Sequence, residues 1–174
     1  MNGVTAALVR ERFHYDPDTG VFTWRTLVCR GGRSVGDVAG SKDSKGYWRL
    51  RINGCQYAGH RVAWLYVTGI WPTLQIDHIN GCRADNRWAN LREANAWQNA
   101  ANTKLSAVNR TGVKGVSWQP CGRKWRATIR VRGQYLHLGS FAEFDDAVRA
   151  REMASRLHFG EFARDELPSD RVGA

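Results

Sequence analysis

Long apolar runs are absent from this sequence. No stretch approaches the roughly 20 apolar residues that a membrane span requires. The N-terminus, MNGVTAALVRERF, also lacks the apolar segment of a signal peptide. We therefore expect a cytoplasmic protein that has no membrane as a partner.

Cysteine is scarce and scattered along the chain. The four cysteines, Cys29, Cys55, Cys82 and Cys121, form no CxxC motif, which is the usual signature of a structural zinc site. We therefore expect no zinc knuckle. Because disulfides are rare in the cytosol, we expect reduced thiols with packing roles.

Acidic residues are few relative to basic ones. The sequence has 16 Asp and Glu against 26 Lys and Arg, which gives a formal net charge of +10 and a pI of about 10. Such a charge favours a polyanionic partner, either nucleic acid or an acidic membrane surface. The 174 residues, 43% of them hydrophobic, suffice for one medium domain or two small ones.

The stretch from Leu74 to Lys104, LQIDHINGCRADNRWANLREANAWQNAANTK, contains the residues best suited to chemistry. It places an acid beside a histidine, Asp77-His78, after a short apolar run, and an Asn-rich loop follows. A helix-like segment comes next. Its spacing places three polar side chains on one face: Asn95, Asn99 and Asn102.

These residue types suit phosphodiester hydrolysis. A hard divalent cation prefers oxygen ligands, which the carboxylate of Asp77 and the amide oxygen of Asn99 would supply. A neutral imidazole at His78 would take a proton from water, and a metal ion would stabilise the charge on phosphorus and on the leaving oxygen. The alternative is structural, with Asp77-His78 as a strand end and the asparagines as caps and turns. The stretch as a whole favours the catalytic interpretation.

The same stretch resembles the HNH endonucleases, also called ββα-metal nucleases, in their phage and homing branch. The matching motifs stand in order and at matching spacing: Asp77-His78-Ile79-Asn80-Gly81, Asp85-Asn86-Arg87, Asn90-Leu91-Arg92 and Asn99. The resemblance implies that His78 is the general base, and that Asp77 and Asn99 bind a single Mg²⁺ or Mn²⁺. It further implies that Asn90 ties the loop together and orients the site, that DNA is the substrate, and that the setting is a bacterial or phage-infected cell.

Upstream of this stretch the sequence predicts a β-rich region. A helix is predicted over 4–13 with Thr5 as its N-cap, then a strand over 21–24 and a long basic loop over 29–46. Strict alternation then predicts a strand over 47–52 and a hairpin turn at Asn53-Gly54.

Two arginines of the predicted strand, Arg49 and Arg51, face away from the core side that Trp48, Leu50 and Ile52 form. They either contact DNA phosphates or lie in solvent, and the sequence leaves both open.

A helix is predicted from His60 to Thr68 and should end at Gly69. Helical periodicity predicts that Ala63, Trp64 and Val67 form its apolar side. The dipeptide His60-Arg61 recurs ahead of the catalytic strand in the same HNH branch. His60 is therefore either support for the site or an ordinary packed or capping histidine.

A different pattern begins after a predicted linker. Three short strands are predicted over 113–118, 124–131 and 134–139, and a helix from Ala142 to His158. One face of the middle strand is apolar, and the other carries Lys124, Arg126, Thr128, Arg130 and Arg132. The helix should cover the apolar face with Phe144, Ala147, Val148, Ala154 and Leu157. The polar face then either enters a DNA groove or lies in solvent.

Residues 112–163 resemble the AP2/ERF-type DNA-binding domain, which has three antiparallel strands and one helix. The resemblance rests on Gly115-Val116, on 124–130, on 138–141 and on the helix from Ala147 to Ala154. It implies that a set of polar residues lines the groove: Lys114, Ser117, Lys124, Arg126, Thr128, Arg130 and His137. Ser117 and Thr128 stand where plant members usually carry Arg and Glu, so their sequence preference does not carry over.

Together these patterns predict an α+β protein with two domains. The HNH nuclease domain should span 1–105, with its ββα core at about 74–104. A linker at 106–111, an AP2-like domain at 112–163 and a tail at 164–174 should follow. The predicted activity is metal-dependent cleavage of one or both strands of double-stranded DNA that the C-terminal sheet holds. The alternatives are a DNA-binding regulator with an inactive nuclease unit, a protein acting on RNA, and a basic module that binds other proteins. The sequence leaves a monomer and a homodimer equally open.

Overall fold

A computed structural model describes residues 3–26, 34–103, 105 and 108–163 of the chain. The fold is α+β, as predicted, with helices and small antiparallel sheets throughout. The predicted tail, Cys29 and the first part of the predicted basic loop, residues 29–33, lie outside the described residues. None of the helices within the described ranges has the length and apolar character needed to cross a membrane.

The chain divides into two compact units, Met1–Asn95 and Ala96–Ala174. The short helix that follows Asn95 groups with the C-terminal residues, and the sequence-based domain limits at 105 and 112 stay a prediction.

The first unit contains two helices and seven short strands among its described residues. The helices are α1 (Ala6–Arg12) and α2 (Gly59–Thr68). The strands are β1 (Phe13–Tyr15), β2 (Phe22–Trp24), β3 (Ser41–Lys42), β4 (Trp48–Ile52), β5 (Cys55–Ala58), β6 (Gln75–His78) and β7 (Leu91–Ala94). They form three antiparallel sheets: β1-β2, β3-β4-β5 and β6-β7.

Helix α1 begins where the sequence predicts. The Oγ1 atom of Thr5 accepts the backbone N–H of Leu8 at 3.2 Å, which caps the helix. The predicted helix extends to Phe13, but Phe13 opens β1 and pairs with Trp24. Its ring is fully buried and lies 4.7 Å from the Trp24 ring centroid. Burial against β2 therefore decides the conformation of Phe13, and helix periodicity does not.

The hairpin of β4 and β5 agrees with its sequence pattern. Asn53 and Gly54 both have positive φ, 49° and 79°, as a tight two-residue turn requires. Leu50 and Ile52 are buried, whereas Arg51 is exposed. The alternation therefore sets the register of this sheet.

Helix α2 ends at Gly69 as predicted, with φ of 83° in the left-handed region. Its predicted apolar side is partly wrong, because Val67 is 41% exposed. The helix instead buries Val62, Ala63 and Leu65, together with His60. Val62, Ala63 and Leu65 pack in one core with residues of β1, β2, β4 and β6.

The second unit contains the predicted sheet and its covering helix. Its elements are α3 (Ala96–Ala101), β8 (Val116–Gln119), β9 (Lys124–Val131), β10 (Gln134–Phe141) and α4 (Phe144–Phe159). The strands are antiparallel in the order β10-β9-β8. Ala127 and Ala147 are fully buried between the sheet and α4, and the Trp125 and Phe144 rings meet edge-on at 4.7 Å. The predicted apolar side of α4 is wrong at Leu157, which is 81% exposed.

Candidate active site

Asp77 and His78 lie at the end of β6, which pairs with β7 so that Asp77 faces Arg92 and His78 faces Leu91. Arg61 of α2 fixes the entry to β6, because its guanidinium donates to the backbone oxygens of Pro72 at 3.1 Å and Leu74 at 3.2 Å. The residue pattern alone did not predict strand β7, although the ββα core that the resemblance implies includes a second strand. Burial of Leu91 and Ala94 explains why this segment is extended.

The imidazole of His78 is oriented by Asn86. Its Nε2 atom lies 3.2 Å from the Oδ1 atom of Asn86, and both side chains are buried. An amide oxygen only accepts, so this contact places the ring proton on Nε2. Nδ1 is then the ring nitrogen whose lone pair can accept a proton.

Asn86 is itself tightly held. Its backbone oxygen accepts the hydroxyl of Tyr15 at 2.7 Å. Gly20 comes so close that a Cβ atom there would lie 2.4 Å from the Asn86 carbonyl carbon. A Cβ atom on Gly59 would lie 3.0 Å from the Asn86 side-chain nitrogen. The Asp85-Asn86-Arg87 motif includes Asn86, but nothing in the residue pattern indicated that its side chain bonds His78.

Asn90 closes the loop between β6 and β7 through hydrogen bonds to Asn80 and Asp85. The Oδ1 atom of Asn90 accepts the backbone N–H of Asn80 at 2.9 Å, and its Nδ2 atom donates to Asn80 Oδ1 at 3.1 Å. Nδ2 also donates to the backbone oxygen of Asp85 at 2.8 Å. Arg87 binds the Asp85 carboxylate through two hydrogen bonds and lowers the pKa of that carboxyl to about 2. These bonds make Asn90 a clamp of the loop.

Asp77 is buried and its carboxylate is oriented by Arg92. The Oδ2 atom accepts N–H bonds from Arg92 Nε at 3.1 Å and from a terminal guanidinium nitrogen at 3.0 Å. Carboxylate oxygens are hard ligands of the kind that Mg²⁺ and Mn²⁺ prefer. The donor chemistry of Asp77 therefore fits a hard divalent cation.

Asn99 lies on α3 and is half-buried. Helix α3 is shorter than the predicted segment, so Asn95 precedes it and Asn102 follows it. Asp77 belongs to the first compact unit and Asn99 to the second. Joint metal binding by these two residues stays a prediction.

A second buried histidine lies against His78. The ring centroids of His60 and His78 are 5.0 Å apart at an interplanar angle of 81°. The Tyr47 ring lies 5.5 Å from His60 and 6.2 Å from His78. Arg83 lies over the outer side of the same tyrosine, 5.0 Å from its centroid. An aromatic wall therefore restricts the movement of the His78 ring.

Burial keeps both imidazoles neutral. Loss of water around His60 lowers its pKa from 6.5 to about 3, with a further contribution from nearby His78 and arginines. Burial also lowers the pKa of His78, although the Asn86 bond and the charge of Asp77 act in the opposite direction. At pH 7 His78 therefore has a lone pair available to accept a proton.

Comparison with known proteins bears directly on this site. Residues 57–101 match the HNH endonuclease family. Protein 3.8 of Escherichia phage T7 is 31% identical to the chain over 106 residues, which cover 60% of this chain and 87% of that protein. The chain belongs to the HNH endonuclease family. No solved structure matches it.

The HNH match covers α2, β6, β7 and α3, and thus contains every residue of the predicted catalytic and metal set. An HNH domain implies a nuclease that acts on DNA, and HNH nucleases generally use a divalent metal ion. The T7 relative supports the expected phage context. Neither comparison matches the C-terminal residues to the AP2/ERF domain, so that resemblance stays a prediction.

The residues predicted to contact DNA differ in their surroundings. Six of those in the second unit are exposed: Ser117, Lys124, Arg126, Arg130, Arg132 and His137. Thr128 is half-buried and its hydroxyl donates to the Gly115 oxygen at 3.3 Å. Lys114 is half-buried and donates to the backbone oxygens of Ala101 and Thr103, at the end of α3.

The two arginines predicted to contact DNA outside that unit belong to the β3-β4-β5 sheet. Arg51 is exposed, and Arg49 is bonded to the Asp43 carboxylate at 2.8 Å. Both line a surface cavity of about 700 Å³ together with Arg12 and Gln56.

Proposed function

We propose that the protein is a divalent-metal-dependent endonuclease that hydrolyses phosphodiester bonds in double-stranded DNA. The observation that carries the proposal is the buried pair of His78 and Asn86, in which the amide oxygen fixes the ring tautomer and burial keeps the ring neutral. With the ring proton on Nε2, Nδ1 is the nitrogen that accepts a proton. A nuclease requires such an acceptor, because it must activate water near pH 7.

In the proposed reaction, Nδ1 of His78 takes a proton from a water molecule as the water oxygen attacks the scissile phosphorus. A new P–O bond forms, and the bond from phosphorus to the 3′ leaving oxygen breaks. The leaving oxygen then takes a proton from solvent. Asn86 holds the ring plane through Nε2, and the wall of His60 and Tyr47 limits ring rotation.

Asp77 and Asn99 would hold a single Mg²⁺ or Mn²⁺. Such an ion supplies charge stabilisation for the phosphorane-like transition state and for the leaving oxygen. The role of Arg92 is to keep the Asp77 carboxylate in one orientation. Asn90 keeps the intervening loop in place through its bonds to Asn80 and Asp85.

The exposed cationic face of the second unit would bind the DNA. Lys124 and Arg126 lie on the face of β9 opposite to α4, and no acidic residue occurs in β9 or in β8. Phosphate contacts of this kind position the duplex. They supply most of the salt-dependent affinity.

A plasmid assay tests the proposal. The full chain would be incubated with supercoiled plasmid DNA and Mg²⁺ or Mn²⁺, with the same mixture in EDTA as reference. We expect nicked or linear product that EDTA abolishes. The test requires a plasmid that carries a site the protein is shown to bind. If this plasmid stays supercoiled with either metal, the result favours a regulator with an inactive nuclease unit.

His78→Ala should lose about 10²–10⁴-fold in cleavage rate, which is the usual contribution of a general base. His14→Ala provides a matched control, because His14 is an exposed histidine of β1 in the same unit. Binding of the plasmid should be the same for both variants. Wild-type cleavage by His78→Ala would remove the assignment of the base.

A further inference from the structure

The second unit contains a cavity of about 460 Å³, and its lining includes Lys114, Arg130 and Arg132 from the set predicted to contact DNA. Its walls come from α3, from the segment before β8, from β9 and β10 beside their turn, and from α4. This volume falls within the range of small-molecule sites in proteins, which is about 300–1,000 Å³.

The charge of the cavity is of one sign. Four cationic side chains line it: Lys114, Arg130, Arg132 and Arg151. Among the described residues that line it, none is acidic. A concave surface of this kind attracts an anion.

The cavity also has aromatic walls that pair with the arginines. The guanidinium carbon of Arg132 lies 5.8 Å from the Trp97 ring centroid, and that of Arg130 lies 5.3 Å from the Tyr135 ring centroid. Phe159 meets the Trp97 ring at 5.8 Å. Tyr135 is 74% exposed, so its ring is accessible to a ligand. Nucleobases stack on aromatic rings and on guanidinium planes alike.

We propose that this cavity binds one unpaired nucleotide of the DNA, with its phosphate among the arginines and its base against Tyr135 and Trp97. The proposal rests on the proposed nuclease function, and it names the class of substrate. A base can enter a concave cavity only after it leaves the helical stack, and this costs least when the base has no pairing partner. The preferred DNA is therefore one that contains a bulged or single-stranded nucleotide.

A binding experiment with the full chain tests this inference. Fluorescence anisotropy in EDTA would compare a fully paired DNA hairpin with the same hairpin carrying one extra, bulged adenosine. We expect about tenfold tighter binding of the bulged hairpin, the usual size of one base-stacking contact. Equal affinity for the two hairpins would overturn the proposal.

Three variants locate the contact. Tyr135→Leu removes the stacking ring but keeps an apolar side chain, so it should abolish the preference and leave affinity for the paired hairpin unchanged. Tyr135→Phe should retain the preference. Trp118→Leu is the matched control, because Trp118 is a 43%-exposed aromatic residue of β8 outside the cavity. An equal loss in Trp118→Leu and Tyr135→Leu would overturn the assignment to the cavity.

Two competitors separate nucleotide recognition from general anion binding. Deoxyadenosine 5′-monophosphate should reduce the preference for the bulged hairpin at concentrations at which inorganic phosphate has no effect. Equal competition by both would overturn the proposal, since the cavity would then be a simple anion site. If the protein cleaves plasmid but binds both hairpins equally, the assignment of the cavity is wrong and the nuclease function stands. If it prefers the bulged hairpin but does not cleave plasmid, the nuclease function is wrong and the assignment of the cavity stands.

Discussion

At the residue scale, Asn86 sets the orientation and the tautomer of the His78 imidazole. Its side-chain oxygen is the acceptor for His78 Nε2, and Tyr15, Gly20 and Gly59 hold it in place. The bond fixes two properties of the imidazole at once, the plane of the ring and the position of its proton.

Asn86→Ala should therefore lower kcat about 10- to 100-fold, which is part of the contribution of the general base. KM for DNA should change little, because Asn86 is buried and cannot touch the duplex. Steady-state cleavage of a labelled duplex measures both constants. Asn86→Asp retains an oxygen acceptor and should recover part of kcat, whereas a purely structural role would make it as damaging as the alanine variant.

The buried imidazole of His60 should make the free energy of unfolding depend on pH. Its Nδ1 atom is buried and has no hydrogen-bond partner among the described residues, and burial lowers its pKa to about 3. Between pH 6.5 and 3 the unfolded chain therefore binds a proton at this site that the folded protein does not. The free energy of unfolding should fall with decreasing pH in this window, by up to about 1.4 kcal/mol per pH unit from this group.

Urea unfolding between pH 4 and 7 checks this expectation. His60→Leu should reduce the acid slope, since it removes the buried ring that must stay neutral. His14→Gln, at an exposed histidine, should leave the slope as in wild type. An unchanged slope in His60→Leu would show that other groups control the acid sensitivity.

The elements of the fold differ in how far the sequence predicts them. The Asn53-Gly54 hairpin and the alternation in β4 and β9 were predicted, because a period of two and a left-handed turn are local properties. Strand β1 and the exposed positions Val67 and Leu157 were not, because they depend on which partner an element meets in the tertiary fold.

The same distinction applies to the site. The motif singled out residues on and between β6 and β7, including Asn90, and their functional roles stay a prediction. It did not predict the bond from Asn86 to His78, and it left open whether His60 contacts the site. Both depend on how the loop folds back onto α2, which residue spacing does not specify.

The turn before β2 offers a stability prediction. Gly20 has φ of 72°, and a Cβ atom there would lie 2.4 Å from the Arg87 nitrogen. Gly20→Ala should destabilise the protein by at least about 2 kcal/mol, since strain and steric overlap add. Gly46→Ala is the matched control, with φ of 83° and open space around its Cβ position. Thermal unfolding should give the larger loss for Gly20→Ala, and equal losses would show that the overlap is relieved at no cost.

The whole molecule is strongly basic, and its formal net charge of +10 predicts salt-sensitive DNA binding. Lys124→Ala and Arg126→Ala should each weaken binding and reduce the slope of log K against log salt concentration by about 0.9. Anisotropy titrations measure this slope over roughly 50 to 300 mM salt. Arg149→Ala removes the same charge from an exposed position of α4 and is the control. If the salt slopes of Lys124→Ala, Arg126→Ala and Arg149→Ala are equal, the DNA does not bind to the β9 face.

The position of α3 has a consequence for exchanging parts between nucleases. The HNH match ends at residue 101, whereas the compact units divide between Asn95 and Ala96. A chimaera joined at that structural boundary would take its Asn99 from the donor of the C-terminal unit, so the nuclease would inherit one proposed metal ligand from a foreign sequence. Recombination that preserves activity should therefore favour joints after Ala101, and the modular unit in evolution would be longer than the compact one.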